Sequence, residues 1–201
     1  MICGIDEAGR GPLAGPVCAA SVILPSDFPC HILGDSKKFS PASRDKARRI
    51  ICSLSLAWGI GWASAAEIDE INILQGSLLA MERAFNSMIP GYDSNSAGQP
   101  LSPEVIVDGL YVPDIPVPCR ALVKADSLVP QVMAASILAK TARDRLMEIY
   151  ALFYPEYGYE KHRGYPTVSH RAAIARFGPS PIQRMSFSVK PVKQGELWEK
   201  I

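Results

Sequence analysis

Asp6 and Glu7 stand side by side at the end of a short apolar run, and Gly9-Arg10-Gly11 follows at once, with prolines and further glycines to Val17. Adjacent carboxylates are hard oxygen ligands of the kind that hold Mg²⁺. A glycine-flanked turn lets backbone approach a ligand closely, and an arginine offers a rigid fork of donors to phosphate. Metal ligands and a phosphate-facing turn within six residues point to phosphodiester chemistry. An acidic strand end before a glycine-rich turn is the bland alternative for Asp-Glu alone; the whole run is far more specific.

Further blocks continue the pattern in order: Gly34-Asp35-Ser36-Lys37-Lys38, Ile68-Asp69-Glu70-Ile71-Asn72-Ile73, Val107-Asp108-Gly109 and Val123-Lys124-Ala125-Asp126-Ser127. Ala134-Ala135-Ser136-Ile137-Leu138-Ala139-Lys140, Lys161-His162-Arg163-Gly164-Tyr165 and Gly178-Pro179-Ser180-Pro181 follow. With these blocks the chain resembles the ribonuclease HII (type 2 ribonuclease H) family along nearly its whole length. It departs from that pattern at Ala125 and at Pro166, each at a position where the family usually carries glycine.

The resemblance implies an α/β fold, a ribonuclease H-like mixed five-stranded sheet flanked by helices, with a small helical C-terminal lobe. Residues 1–150 would form the catalytic core and 151–201 the substrate-contacting region of one compact unit. The implied activity is metal-dependent endonucleolytic cleavage of RNA in RNA–DNA hybrids and 5′ of ribonucleotides embedded in duplex DNA, leaving 5′-phosphate and 3′-hydroxyl ends. Asp6, Glu7, Asp108 and Asp126 would be at once the catalytic residues and the ligands of two divalent cations, Mg²⁺ or Mn²⁺, with Asp6 shared between them. Gly9, Arg10, Gly11 and Tyr165 would read the ribonucleotide, since the 2′-OH is what separates RNA from DNA. Tyr165 would also stack on the sugar of the next nucleotide.

Lys37, Lys140, Lys161 and Arg163 are candidate phosphate contacts, and Lys38 and Arg143 belong with them; such contacts position a substrate without reading its sequence. Ser136, Lys140 and Arg143 share a helix face by their spacing. For Asp126 the alternative role is a helix cap, and for Lys140 an ordinary ion pair with Asp144. His162 and His170 are read as surface or capping residues and are assigned no catalytic part. A noncatalytic binding module of the same fold is the alternative from another class; four carboxylates facing phosphate argue against it. Ribonuclease HIII is the nearest enzyme alternative; its extra N-terminal substrate-binding domain is not expected here, because the catalytic strand is read as starting at Met1.

The 201 residues are 48% hydrophobic and 20% charged, ordinary for a globular enzyme. Net charge is +1, but it is unevenly spread. Residues 1–119 carry 8 basic and 13 acidic side chains, residues 120–201 carry 13 and 7, an asymmetry that fits a polyanionic partner. Five scattered cysteines without a C-x-x-C pair suit buried free thiols rather than zinc or a disulfide framework. No signal peptide opens the chain, and the uncharged stretch 50–66 is slightly short and too rich in serine and glycine for a membrane span. A monomeric cytoplasmic protein with no membrane contact is expected.

These side chains need a frame. Met1–Asp6 and Val17–Leu24 read as strands, with Asp6 and Glu7 able to share a site only if the first strand bends. Ser40-Pro41 starts a helix to about Leu54, and Leu56–Ala63 is a third strand. Ser64 and Glu67 form a capping box, and apolar spacing predicts a helix over Asn72–Met88. Pro90–Pro103 reads as a surface loop. Val105–Val107 and Arg120–Val123 are strands, Val129–Tyr150 is the longest helix, and Thr167 caps a helix to about Phe177. The end, Gln194–Ile201, is either a short helix docked by Trp198 or frayed.

Overall fold

A computed structural model describes residues 1–34, 39–95 and 102–191. Lys37 and Lys38, and the terminal segment with Trp198, lie outside the described residues.

Strand β1 (Ile2–Ala8) is central in a five-stranded mixed sheet. It pairs antiparallel with β2 (Val17–Ile23) and parallel with β4 (Glu104–Asp108). Outside these lie β3 (Ala57–Ala63), antiparallel to β2, and β5 (Cys119–Leu122), parallel to β4, giving the order β3-β2-β1-β4-β5. This is the mixed sheet that the resemblance implied.

Strand β2 is buried throughout because both faces of the sheet are covered. Its alternate residues Val17, Ala19 and Ile23 pack with Ala80, Phe85 and Met88 of helix α2 (Ala65–Asn95). The intervening Cys18, Ala20 and Val22 pack with Ile51 of α1 (Pro41–Leu54) and Ile137 and Leu138 of α3 (Pro130–Phe153). The period of two in the strand therefore divides one sequence between two cores. Helix α3 comes down onto β1 at Gly4, where a Cβ would stand 2.2 Å from the Gln131 carbonyl carbon.

Local chemistry ends the helices where expected. The Ser64 N–H donates to Glu67 Oε2 (2.8 Å), and the Glu67 N–H donates to Ser64 Oγ (3.2 Å). Arg83 and Ser64 hold the Glu67 carboxyl down at about 2. At Asn72 the chain takes a left-handed φ of 67°, kinking α2, and Asn72 Oδ1 accepts from the N–H groups of Leu74 and Gln75 to restart it. Two expectations need correcting. The stretch read as a loop from Pro90 begins as helix, since α2 runs on to Asn95; the missing Pro90 N–H removes only one bond near the helix end. All five cysteines are free thiols, as expected, but Cys30 is exposed. Among the described residues no helix is long and apolar enough to cross a membrane; the uncharged stretch 50–66 is divided between the end of α1, strand β3 and the start of α2.

After α3 come two short helical turns, the second being α4 (Tyr159–His162), and then α5 (Val168–Phe177), capped by Thr167 Oγ1. Tyr157, Tyr159 and Ala173 from this region close a third core around Ala14, Met147 and Ala151. The same region is tied to the loop after β1: Gly15 N–H donates to Ile182 O (2.8 Å), and the Leu13 N–H donates to Gly164 O (2.8 Å).

Candidate active site

The β1–β4 ladder ends at Ile5↔Val107, while β1 stays paired with β2 to Ala8. A cleft of about 620 Å³ opens at this fork, at the carboxyl ends of the two parallel strands, where open α/β sheets present ligands. It is lined by Asp6, Glu7, Asp108 and Asp126, by Gly9, Arg10 and Gly11, and by Ser136, Lys140 and Tyr165. Strand β1 thus runs on past the end of its β4 pairing, with Asp6 and Glu7 both lining the cleft.

Asp6 is only 6% exposed. Burial first, then the charges of Glu7 and Asp108, push its carboxyl well above the usual range, against the pull of the Ser136 hydroxyl and of the Glu7 N–H, which donates to Asp6 Oδ1 (2.7 Å). Burial also raises Glu7, despite its ion pair with Arg10 (3.4 Å). Carboxyls that resist ionisation beside one another are what a divalent cation relieves, and four hard oxygen donors on one cleft suit Mg²⁺ or Mn²⁺. Among the described residues no three of them close into a preformed cage, as expected of like charges that only a cation would draw together.

Asp126 sits in a 3-10 turn, Ala125–Ser127, and is not the cap of α3; Val129 holds that position and Pro130 follows as the first helical residue. The departure at Ala125 is absorbed here. The left-handed backbone falls on Lys124 (φ 62°), leaving Ala125 an ordinary buried turn residue.

Tyr165 is 42% exposed at the lip of the cleft. Its backbone is held on both sides: Tyr165 N–H donates to His162 O (2.9 Å), and His170 Nδ1 donates to Tyr165 O (3.0 Å). The two histidines are neither surface nor capping residues. They are buried and stacked, with ring centroids 4.5 Å apart. The Gly164 N–H donates to His162 Nδ1 (3.2 Å), which fixes the proton on Nε2, facing Tyr157 O at 2.8 Å. Burial pushes both rings down, His170 to about 4 with help from His162. The groups around the pair, Tyr157, Tyr159, Glu160, Lys161 and Arg163, include no carboxylate hydrogen-bonded to either ring. Depressed histidines stabilise the fold above their unfolded value near 6.5, and that contribution is lost as pH falls toward 4. Between pH 7 and pH 5 the protein should lose about 2 kcal/mol of unfolding free energy through His170. Urea unfolding at the two pH values, compared with a His170→Phe variant, isolates this from the carboxylates. A variant that loses as much as the parent would show that His170 protonates freely in the folded state.

The basic candidates part company. Lys140 lines the cleft and pairs with Asp144 (2.7 Å), the ion pair that its spacing allowed. Lys161 is exposed on α4 and is not among the residues that line the cleft. Arg163 turns back to Glu148 (2.5 Å) and to the Glu160 carbonyl, so its guanidinium is engaged within the protein. Arg143 is the largest correction. It lines the cleft with Ser136 and Lys140, as the spacing implied, but at 1% exposure it is a buried strut, donating to Pro16 O (2.9 Å), Arg163 O (3.0 Å) and Ala14 O (3.1 Å). Its side chain fills the space beside Gly9, whose φ of +99° and missing Cβ it requires; a Cβ there would lie 2.0 Å from Arg143 Nε. Arg44 and Asp144 also line the cleft and belong to no motif that would have singled them out.

The family model for ribonuclease HII matches residues 3–190. A Treponema denticola protein named ribonuclease HII is 56% identical over 196 residues, a match covering 94% of this chain and 99% of that one. The crystal structure of ribonuclease H2 from Pyrococcus horikoshii superposes with a TM-score of 0.73 at 26% identity, covering 94% of both chains. A Bst ribonuclease HIII crystallised with Mn²⁺ shares the fold alone, with a TM-score of 0.70 at 16% identity, over 93% of this chain and 67% of that longer one.

Proposed function

Because the chain belongs to the ribonuclease HII family, and is thus a ribonuclease H, we propose that it cuts RNA in RNA–DNA hybrids and 5′ of single ribonucleotides in duplex DNA. It leaves 5′-phosphate and 3′-hydroxyl ends and works with two divalent cations, Mg²⁺ or Mn²⁺, as a monomer. The observation that carries this reading is one cleft holding all four carboxylates opposite the Gly9–Gly11 backbone and Tyr165.

Asp6, Glu7, Asp108 and Asp126 hold the cations. When bound there, the ions supply a water of lowered pKa and neutralise charge on the departing oxygen. Ser136 and the Glu7 amide fix the Asp6 carboxylate, and Arg10 steadies Glu7 from the cleft side. The Gly9–Gly11 backbone meets the 2′-OH, and Tyr165, near Gly11, closes on the same sugar from the lip. Exposed Lys161 serves the duplex backbone and carries no sequence information.

The test is cleavage of a DNA duplex containing one ribonucleotide, with and without Mg²⁺. Metal-dependent nicks with ligatable 5′-phosphates support the proposal; ends of any other chemistry, or cutting in excess chelator, refute it. Tyr165→Ala should lower cutting at a single ribonucleotide on the order of tenfold more than cutting in a long hybrid, because an aromatic stack is lost where the next sugar is deoxyribose. Equal losses on the two substrates would reduce Tyr165 to a packing residue.

A further inference from the structure

The loop that meets the ribose is shaped by a residue far away in sequence. Arg184 is fully buried, and its guanidinium reaches four carbonyls of that loop. Nη2 donates to Gly9 O (2.6 Å), Nη1 to Arg10 O and Pro12 O (2.9 Å each), and Nε to Gly15 O (2.8 Å). The backbone around Arg184 is locked as well. Its own N–H donates to Leu13 O (2.8 Å), Gln183 bridges Ala14, and its guanidinium lies 5.1 Å from the centre of the Phe187 ring. Asp69, at the start of α2, accepts from the N–H groups of Met185 (2.8 Å) and Ser186 (2.9 Å) and from the Ser186 hydroxyl (2.6 Å). Burial and the nearby Arg143 charge push the Arg184 guanidinium down to about 9, so it stays charged at neutral pH.

All peptide bonds here are trans, and in a planar trans peptide the C=O and N–H point in opposite directions. Drawing Gly9 O and Arg10 O inward therefore turns the N–H groups of Arg10 and Gly11 outward. We propose that Arg184 is a positioning residue for sugar discrimination, holding the Gly9–Gly11 turn with its paired N–H groups toward the cleft, as donors to the oxygen of a 2′-hydroxyl. This rests on the reading that the turn meets the 2′-OH, and it adds the polarity of that contact and the residue that imposes it. A lysine could not substitute, because one point charge cannot span four carbonyls in a fixed plane.

Binding with Ca²⁺ as the nonproductive ion should be measured for a DNA duplex with one ribonucleotide and for the same duplex in all-DNA form. The parent protein should prefer the ribonucleotide duplex. In Arg184→Lys that preference should shrink by about tenfold or more, because a hydroxyl met by built-in donors is strongly discriminated and loses that advantage when they turn away. Affinity for the all-DNA duplex should stay within about twofold, since phosphate contacts carry it; a merely structural defect would weaken both duplexes together. Asp69→Ala, which loosens only the seat of Arg184, should lower the preference in the same direction by about threefold. It decides the matter if Arg184→Lys fails to fold. A full preference in folded Arg184→Lys, or in Asp69→Ala when the first variant does not fold, overturns the proposal, as does an equal loss on both duplexes. No preference in the parent would instead remove the reading of the turn itself.

Discussion

Asp6→Asn should lower the cleavage rate at saturating Mg²⁺ by at least about three orders of magnitude, about 4 kcal/mol of transition-state stabilisation. The amide keeps the shape of the carboxylate, and its oxygen can still accept from the Glu7 N–H, so the site survives in outline. What disappears is the charge of a carboxylate proposed to hold the cations. The same change should make the cation-free protein more robust. Burial and the charges of Glu7 and Asp108 all disfavour an ionised Asp6, so its neutral replacement should raise the melting temperature in chelator by roughly 2–4 °C per kcal/mol relieved. Asp108→Asn should behave alike. Loss of activity together with gain of stability separates a cation-holding carboxylate from a structural one, which would lose both. Residual cutting within about tenfold of the parent would refute the assignment of Asp6.

Arg143→Met is expected to be strongly destabilising, costing about 3–5 kcal/mol. Methionine matches the unbranched stem, so little packing is lost. Three carbonyls, of Ala14, Pro16 and Arg163, are left without their donor, in a place where the guanidinium itself was almost wholly buried. The melting temperature should fall by roughly 10 °C for a chain of this size. A variant melting within about 2 °C of the parent would mean that water reaches these carbonyls and that Arg143 is no strut.

Elements whose determinants lie within a few residues were legible. Ser64 and Glu67, Ser40 with Pro41, and Thr167 each mark a helix start through a partner three residues on. The apolar run from Val17 marked β2 as a strand, and its burial on both faces follows from the helices that cover the sheet. The carboxylates were legible as a group because each stands in a distinctive local block, and the fold brings Asp6, Glu7, Asp108 and Asp126 to one cleft with Gly9–Gly11 and Tyr165. Arg143 misled because helical spacing places it beside Lys140 and Ser136, and spacing does not tell whether the covering loop lies over it. His162 and His170 misled for the same reason: their burial is made by the approach of α4 and α5. Arg184 belongs to no block that would have singled it out, since the carbonyls its guanidinium holds are 169 to 175 residues away.

That separation bears on how the enzyme comes into being. The turn after β1 is among the first segments synthesised, yet the donors that shape it follow about 130 and 170 residues later, in Arg143 and Arg184. Closing such long loops is entropically slow and comes late in folding. A nascent chain can therefore assemble β1, β2 and β3 into an antiparallel sheet while the turn proposed to read the sugar is still shapeless. Under the proposed role of Arg184, discrimination between RNA and DNA would arrive last, and a chain cut short before Arg184 would keep its carboxylates but lack the residue proposed to shape that turn.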